Sequence, residues 1–366
     1  IKRSELLGEL IKIKDVSVGI AGTHGKTTTS SMLGSILYES KLDPTLIIGG
    51  IVNKFNSNNI TGTGEIIVVE ADEFDKSFLN LAPTYSIINN LDLEHIDSYN
   101  DLDDLLNSFA NFANSIPFYG KVAINVDSLN IKRISNKIKK SKITFGIKEN
   151  ADVSAEKISY KNNCSKFIVN FKNENKKYEI NLSCPGEHNI YNALAAITIA
   201  KELKISENSI INGLNNYSGV KRRFEIKHNN KVMIIDDYAH HPIEVEETIR
   251  AAKNGWNKRI ISVFQPHLFS RTKNFYKEFA NALNMSDIII ITDIYPAREK
   301  PLTGVTSKLI IDEINDNKNT FYIPNKNDIP EKIFKVAKED DIIIIMGAGN
   351  VNTIINSISA GYAYEN

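Results

Sequence analysis

The sequence predicts an α/β protein with two domains. Its 366 residues exceed the roughly 100–200 residues that one domain usually contains. In two long stretches, short β-branched apolar runs alternate with segments of helical spacing, which is the order that builds a mostly parallel sheet covered by helices. The segment NNYSGV at 215–220 separates the two stretches and is rich in turn-forming residues. We therefore expect domains at 1–218 and 219–366.

The first domain is predicted to contain a mostly parallel sheet with a small antiparallel addition. It opens with an amphipathic helix in IKRSELLGELIKIKD. The runs that read as buried strands lie at 16–21, 45–48, 66–70, 85–89 and 121–125. Helical spacing is found at 27–39, 102–115 and 127–139. Residues 151–184 alternate polar and apolar side chains between Asn-rich turns, which predicts antiparallel strands, and a helix should begin near His188.

The second domain repeats the alternation of strands and helices and is predicted to be Rossmann-like. Its strands are expected at 232–236, 259–264, 287–292 and 340–346. Its helices are expected at 243–253, 271–284 and 307–314. The glycine turn in MGAGN lacks the full G-x-G-x-x-G pattern, so it is only a weak indication of dinucleotide binding.

The composition argues against a nucleic-acid or membrane surface. Lys and Arg total 44, as do Asp and Glu, and 42% of residues are hydrophobic. No apolar run approaches the ~18–20 residues of a membrane helix. The two cysteines, Cys164 and Cys184, form no metal-binding pattern and suit a reducing compartment. The sequence therefore predicts a soluble cytoplasmic protein and leaves its oligomeric state open.

A glycine-rich loop in GIAGTHGKTTTS predicts a phosphate-binding site. The usual Walker pattern requires glycine five places before Gly25, where this chain has Ile20. Gly22 and Gly25 nevertheless allow a tight turn into a helix, where Lys26 can meet phosphates and Thr27 can ligate Mg²⁺. We interpret the stretch as a shorter nucleotide loop of a P-loop ATPase domain. An ordinary glycine turn between strand and helix is the alternative.

Polar residues at two further strand ends suit a divalent cation. The strand in IIVVEADEFD delivers Glu70 to its carboxyl end, and Asp72 and Glu73 after it could also orient Mg²⁺ or water. His95 follows the next strand in NNLDLEHIDSY. Carboxylate, imidazole and the Thr27 hydroxyl could together bind a hard cation that bridges phosphates. Solvated loop residues are the alternative for both Glu70 and His95.

The second domain also places polar groups after its strands. DDYAHHP contains Asp237 and His240, which suit ribose hydroxyls or phosphates, although a helix N-cap would have the same composition. FQPHLFSRT contains His267 and Arg271, which could meet an anionic substrate. GVKRRFE adds Arg223, a candidate phosphate contact or a solvated cation.

These motifs, in this order, resemble the Mur ligases. The resemblance rests on GTHGKTT, EADEFDKSFLNLAPTYSIINNLDLEHIDSY, IPFYG, GEHNIYNALAA, GVKRRFE, DDYAHHP, FQPHLFSRT and MGAGN, which span nearly the whole chain. The family's loop has the short form G-T-x-G-K-T, which agrees with the missing Walker glycine. The resemblance implies ATP-dependent amide-bond formation in peptidoglycan precursor synthesis, with UDP-N-acetylmuramate and L-alanine as the substrates and an acyl phosphate as the intermediate.

The resemblance also implies a set of site residues. The ATP phosphates would contact Gly22, Thr23, His24, Gly25, Lys26, Thr27 and Thr28. Mg²⁺ would be held by Thr27, Glu70 and His95. Asn189 and Asn192 would face the adenine, Arg223 the phosphates and Asp237 the ribose. The muramoyl carboxylate and alanine would lie near His240, His267 and Arg271. The catalytic set would be Lys26, Glu70, His95, Arg223 and His240.

Two departures from the family pattern leave alternatives open. Leu268 stands where family members often have arginine, which could remove one anion contact. The family's N-terminal UDP-binding domain would precede Ile1, so the chain is expected to contain the central and C-terminal domains only. A sister ligase that adds a recycled tripeptide, a folylpolyglutamate synthetase, and a nucleotide-binding fragment without ligase activity remain alternatives.

Overall fold

The chain folds into two compact units. A computed structural model describes residues 1–92, 99–174, 176–315 and 318–363. The units are Ile1–Lys221 and Arg222–Asn366, so the division falls three residues after the predicted boundary at 218. Across the described ranges, the helices are all too short or too polar to cross a bilayer.

The first unit is built on a ten-stranded sheet. In chain order its strands are β1 Val16–Ala21, β2 Thr45–Val52, β3 Ser57–Ile60, β4 Ile66–Glu70, β5 Tyr85–Ile88, β6 Lys121–Asn125, β7 Lys142–Gly146, β8 Val153–Lys161, β9 Cys164–Phe171 and β10 Lys177–Leu182. Their spatial order is β10-β9-β8-β7-β6-β5-β1-β4-β2-β3. The six pairs from β2 to β8 are parallel, and β3, β9 and β10 add antiparallel edges. The predicted mostly parallel sheet with an antiparallel addition is confirmed.

Helices cover both faces of this sheet and enclose two apolar clusters. They are α1 Arg3–Leu10, α2 Lys26–Glu39, α3 Leu102–Asn114, α4 Leu129–Ile134, α5 Glu187–Glu202 and α6 Glu207–Asn215. α2 is buried along most of its length, and hydrogen bonds to neighbouring elements satisfy its small polar side chains. Ser31 Oγ lies 2.6 Å from Tyr217 Oη, and Ser35 Oγ donates to the Gly213 carbonyl at 2.8 Å. A helix that is buried on several sides holds its first turn in a fixed place, which matters for the site below.

The second unit contains a six-stranded sheet. Its strands are β11 Glu225–Asn229, β12 Met233–Asp237, β13 Ile260–Phe264, β14 Ile288–Ile291, β15 Asn319–Tyr322 and β16 Ile342–Met346, in the spatial order β11-β12-β16-β13-β14-β15. All pairs except β11–β12 are parallel. The helices are α7 Pro242–Gly255, α8 Phe269–Leu283, α9 Lys308–Ile311, α10 Ile329–Val336 and α11 Ile355–Ala363. The predicted α/β second domain is confirmed.

The differences from the predicted elements are local. The helix expected at 127–139 extends only over Leu129–Ile134, and the one expected at 307–314 only over Lys308–Ile311. The elements that were not predicted are β3, β7, β11, β15, α6, α10 and α11. β3 and β15 are edge strands with few buried residues, so their sequences lack the continuous apolar run that marks a buried strand.

Candidate active site

The predicted phosphate loop lies at the carboxyl edge of the central strands of the first sheet. β1 pairs in parallel with β4 and β5, which places Ile20 opposite Glu70 and Ala21 opposite Ile88. The loops after these three strands therefore begin at the same edge. This is where open parallel sheets bind their ligands.

Two glycines shape the loop between β1 and α2. Gly22 has φ +140° and Gly25 has φ +81°, both in the region that favours glycine. A Cβ on Gly22 would lie 3.0 Å from the Asn89 Cβ, and a Cβ on Gly25 would overlap the side-chain oxygen of Asn192. The loop therefore packs tightly against the end of β5 and against α5. The first turn of α2 begins directly after Gly25, and its N–H groups have no acceptor within the helix.

Lys26, the loop lysine, is bound within the first unit by a buried carboxylate. Its Nζ lies 2.9 and 2.7 Å from the two carboxylate oxygens of Glu73, which is 1% exposed. The same Nζ donates to the carbonyls of Gly22 and Thr23 at 2.7 and 3.2 Å. Lys26 thus folds back over its own loop. The sequence indicated Glu73 only as a group that could orient Mg²⁺ or water, and its contact with Lys26 was not predicted.

Thr27 and Glu70 place two side-chain oxygens next to each other. The Thr27 hydroxyl donates to Glu70 Oε2 at 3.2 Å, and Glu70 Oε1 accepts the Gly49 N–H at 2.6 Å. His95, the third predicted metal ligand, lies outside the described residues. Within the described ranges, three or more His, Cys, Asp or Glu side chains nowhere form a metal-binding group.

The segment after β5 binds the other side of the loop. The side-chain oxygen of Asn90 accepts the His24 N–H at 2.8 Å, and its Nδ2 donates to the His24 carbonyl at 3.2 Å. The Thr23 N–H donates to the Asn90 carbonyl at 3.2 Å, and Thr23 Oγ1 accepts the Asp92 N–H at 2.9 Å. These bonds fix the backbone of Thr23 and His24 against the segment after β5.

Asn189 and Asn192 belong to a buried polar relay that joins α5 to the loop helix. Asn192 Oδ1 accepts the Thr29 hydroxyl at 3.1 Å, and its Nδ2 donates to Asn189 Oδ1 at 3.2 Å. Asn189 Nδ2 donates to the Pro185 carbonyl at 2.7 Å. Thr28, also in the first turn of α2, is buried. The structure thus brings both predicted adenine contacts beside the loop, with their amide groups engaged in the relay.

In the second unit, three polar loops meet at the carboxyl edge of its sheet. Met346 at the end of β16 lies opposite both Asp237 of β12 and Phe264 of β13. The segments DDYAHHP, QPHLFSR and GAGN therefore start side by side. The polar groups that were predicted after β12 and β13 therefore begin at one edge of the second sheet.

Glu244 on α7 links Arg223 and His240. Its Oε2 lies 3.0 Å from His240 Nδ1, and its Oε1 lies 3.7 Å from Arg223 Nη1. The guanidinium carbon of Arg223 also lies 5.3 Å from the centre of the Tyr238 ring. The carboxylate orients both predicted site residues, although the sequence reasoning did not single it out.

Asp237 is buried, and backbone groups bond both of its carboxylate oxygens. Oδ2 accepts the Phe224 N–H at 2.8 Å, and Oδ1 accepts the Ala239 N–H at 2.7 Å. Burial raises the pKa of Asp237, against the charge of Arg223 and these hydrogen bonds, which lower it. The carboxylate thus fixes the turn that carries Arg223. Its predicted contact with ribose stays a prediction.

His267 and Arg271 lie together at the start of α8. The His267 ring centre is 5.9 Å from that of His240, and the ring stacks on Tyr295 at 5.8 Å with an interplanar angle of 15°. Arg271 Nη1 lies 3.5 Å from His267 Nδ1. Burial, followed by the charges of His240 and Arg271, lowers the pKa of His267 to about 4. His267 is therefore a neutral imidazole at pH 7.

The start of α8 has an unusual backbone. Leu268, the helix N-cap, has φ +71°, which is rare for a residue other than glycine. Its side chain provides no cap, and Glu299 instead accepts hydrogen bonds from the Ser270 N–H, at 3.0 Å, and from the Ser270 hydroxyl. A carboxylate from the loop after β14 thus stabilises the helix end beside His267 and Arg271.

Comparisons with known proteins agree with this arrangement. The family model of the Mur ligase middle domain matches residues 20–200, and that of the Mur ligase glutamate ligase domain matches residues 222–349. The UDP-N-acetylmuramate–L-alanine ligases of Persephonella marina and Sulfurihydrogenibium sp. are 44% and 42% identical to this chain. Each comparison covers 98% of this chain and 78% of the relative. This chain belongs to the Mur ligase family.

The fold comparison supports the same family. The crystal structure of the UDP-N-acetylmuramate–alanine ligase MurC from Thermotoga maritima matches this Mur ligase with a TM-score of 0.84 and 25% identity, covering 100% of this chain and 79% of that chain. The resemblance identified from the sequence motifs is confirmed.

Beside the predicted residues, each unit of this Mur ligase places polar groups that the sequence did not indicate: Asn90 in the first unit, and Glu244 and Tyr295 in the second. Asn90 directly follows the strand predicted at 85–89, so its position at the strand end was a usable signal. Glu244 lies in the first turn of a helix, where a carboxylate is expected as a capping group. Tyr295 follows β14 at some distance, and nothing in its local pattern indicates its contact with His267.

Proposed function

We propose that this Mur ligase joins L-alanine to the lactyl carboxylate of UDP-N-acetylmuramate with hydrolysis of ATP to ADP and phosphate. The curated relatives at 42–44% identity have this activity in their names, which supports the assignment. The observation that carries the proposal is the phosphate loop at the carboxyl edge, where Lys26, Thr27 and Glu70 lie together. The reaction is that of an ATP-dependent ligase in peptidoglycan precursor synthesis, and we infer that it takes place in the cytoplasm.

The loop residues of the first unit fit the phosphates of ATP. Gly22 and Gly25 let the backbone turn closely around a ligand, and the first turn of α2 offers N–H groups and a positive dipole end to an anion. Lys26 is assigned to the terminal phosphates. The bonds of Thr23 and His24 to the segment after β5 support a loop that is ordered before nucleotide binds. Asn189 and Asn192 are assigned to the adenine side.

Mg²⁺ is assigned to Thr27 and Glu70, with His95 as a further ligand. The fit rests on the chemistry of the two oxygen donors, since a hydroxyl and a carboxylate 3.2 Å apart are the hard ligands that Mg²⁺ prefers. The ion would supply positive charge to the transferring phosphoryl group. The loop residues and Lys26 would hold the phosphates in one position beside the ion.

The reacting groups of the substrates are assigned to the second unit. His240, His267 and Arg271 are assigned to the muramoyl carboxylate and the incoming alanine, Arg223 to phosphate and Asp237 to ribose. Arg271 supplies a cation for a carboxylate, while the neutral imidazole of His267 can accept a hydrogen bond from an amine. The stack of His267 on Tyr295 limits the orientation of its ring.

The proposed chemistry needs no covalent nucleophile from the protein. A carboxylate oxygen of UDP-N-acetylmuramate attacks the γ-phosphorus of ATP, the bond to the β–γ bridging oxygen breaks, and an acyl phosphate and ADP result. The alanine amine, having lost a proton, attacks the acyl carbon. The bond from that carbon to the phosphate oxygen then breaks, its electron pair leaves with phosphate, and the nitrogen releases a second proton to solvent to give the amide. Lys26 and Arg223 stabilise the negative charge that develops on the phosphoryl oxygens.

The test is product formation by the full-length gene product. We expect UDP-N-acetylmuramoyl-L-alanine, ADP and phosphate in equal amounts, detected by mass spectrometry and phosphate release. A preference for a tripeptide over alanine would assign the chain to the sister activity. If the protein binds nucleotide but forms no product with any amino acid or peptide, it is a nucleotide-binding protein and the proposed ligase activity is wrong.

A further inference from the structure

The resting position of Lys26 is set by a carboxylate that the proposed reaction does not use. Both oxygens of Glu73 lie within 2.9 Å of Lys26 Nζ. The Lys26 side chain is 15% exposed and Glu73 is 1% exposed, so the pair is largely removed from water. A buried pair of this kind is weakly screened by salt and holds its geometry better than a surface ion pair.

Lys26 has no spare donor in this position. An ammonium group has three N–H donors, and the described part of the chain already places four acceptor oxygens around this one: the two of Glu73 and the carbonyls of Gly22 and Thr23. A phosphate oxygen that binds Lys26 must therefore replace at least one of these acceptors. Glu73 is the acceptor that carries a negative charge, so it competes most directly with a phosphate.

The backbone of Glu73 is held in place from behind. Its carbonyl accepts the Tyr99 hydroxyl at 2.6 Å, and Tyr99 is buried. Burial, and then the Glu73 carboxylate, raise the pKa of Tyr99, so the hydroxyl remains a donor. The next residues form the 3₁₀ segment Phe74–Asn80, in which Lys76 pairs with Asp104 on α3 at 2.8 Å. Between Lys26 and Glu73, the flexible lysine is the group that can move.

We propose that Glu73 is a positioning residue that holds Lys26 closed over the phosphate loop and competes with nucleotide phosphates for it. The inference rests on the proposed function, since it concerns the same ATP site. When a di- or triphosphate binds, Lys26 exchanges its contact with Glu73 for one with a phosphate oxygen. When ADP dissociates, Lys26 pairs with the Glu73 carboxylate again. Because the negative charge of Glu73 stays near the bound phosphates, it weakens the binding of ATP and of ADP alike.

The competition can be measured by isothermal titration calorimetry without turnover. Glu73→Gln keeps the size of the side chain and removes its charge. We expect it to bind ADP, in the absence of Mg²⁺, roughly tenfold more tightly than the wild type, the ratio that corresponds to one charge-assisted hydrogen bond. AMP lacks the β-phosphate and should bind both proteins equally. A residue with a merely structural role would not tighten ADP binding while leaving AMP binding unchanged.

Asp75→Asn is the matched control. It removes the same charge two residues away, at an exposed position whose left-handed backbone asparagine tolerates. We expect its ADP affinity to stay within about twofold of the wild type, since exposed charges are well screened. Equal tightening in both variants would mean that net charge, rather than the contact with Lys26, controls binding, and would overturn the proposal.

Other outcomes separate this proposal from the proposed function. Unchanged or weaker ADP binding by folded Glu73→Gln overturns the positioning role and leaves the ligase activity untouched. If the wild type binds neither ADP nor ATP, the proposed function fails at its first step, and the role of Glu73 fails with it. Should Glu73→Gln not fold, Glu73→Asp retracts the carboxylate by one methylene, and we expect ADP binding to tighten about threefold by the same loss of a charged contact. Weaker binding by that variant contradicts the proposal.

Discussion

The side-chain amide of Asn90 forms two hydrogen bonds with the backbone of His24. The bonds measure 2.8 Å to the His24 N–H and 3.2 Å to its carbonyl, and the Asn90 backbone adds a third bond to Thr23. The pair ties the phosphate loop to the end of β5, the strand that leads toward His95. Because the loop is already ordered, nucleotide binding has a smaller entropic cost of ordering it.

Replacing Asn90 should therefore weaken nucleotide binding. Asn90→Ala removes both side-chain bonds and leaves the His24 backbone groups to water, and we expect the Kd for ADP to rise about tenfold. Asn107→Ala, at an exposed position on α3, is the control and should bind as the wild type does. Equal affinity of Asn90→Ala and wild type, measured by calorimetry, would show that the loop does not depend on this bond pair.

Gly25 is predicted to be intolerant of any side chain. Gly25→Ala adds the strain of φ +81° and an overlap with the Asn192 oxygen. Gly219→Ala is a matched control in the same unit, because its φ is +82° but the nearest atom to the new methyl group would be 3.6 Å away. We expect both to lose about 1 kcal/mol of unfolding free energy from backbone strain, and Gly25→Ala to lose about 1–3 kcal/mol more from overpacking. Urea unfolding of the two variants gives the difference, and equal losses would contradict the close packing of α5 on the loop.

The Lys26–Glu73 pair should show strong energetic coupling. Lys26→Met leaves Glu73 without its lysine, and we expect a loss of about 3 kcal/mol of unfolding free energy. Adding Glu73→Gln removes the buried charge and should restore about 2 kcal/mol of that loss. A double-mutant cycle by urea unfolding gives the coupling energy. Simple additivity of the two substitutions would mean that the pair does not interact in solution.

His267 should make the second unit more sensitive to acid. Its pKa of about 4 lies below the usual 6.5, so the unfolded chain binds the proton more readily than the folded chain does. The stabilising contribution of neutral His267 is therefore complete above about pH 6.5 and is lost as the pH falls through 4. We expect His267→Gln to lose less thermal stability than the wild type between these pH values. Titration of the His267 ring protons by NMR gives the pKa directly, and a midpoint above pH 6 would refute the effect of burial.

Much of the fold was readable because the central strands are fully buried. Runs such as 16–21, 66–70 and 121–125 are continuous and apolar, and their observed ends coincide with the predicted ends. The edge strands Ser57–Ile60 and Asn319–Tyr322 were missed because exposed edges need no apolar run. Helix lengths were overestimated at 127–139 and 307–314, where the structure has helices only over Leu129–Ile134 and Lys308–Ile311.

The motifs of the candidate site were predicted from the sequence, but the contacts between their side chains were not. Strand ends indicated Glu70, Asp237 and His267, since parallel strands deliver their carboxyl ends to one edge. The partner of Lys26 could not be predicted, because the contact with Glu73 depends on how the chain turns after β4. The pKa of His267 is equally a property of the packed structure, set by burial beside Arg271.

The central claim is that the ATP site of this Mur ligase activates the carboxylate of UDP-N-acetylmuramate for alanine. The most direct measurement is mass spectrometry of the products formed by the purified full-length protein from UDP-N-acetylmuramate, L-alanine, ATP and Mg²⁺. We expect one UDP-N-acetylmuramoyl-L-alanine for each ADP, and no product from Lys26→Ala or without ATP. A folded protein that binds ATP but forms no alanyl product, or that forms it equally well with Lys26→Ala, would contradict the claim.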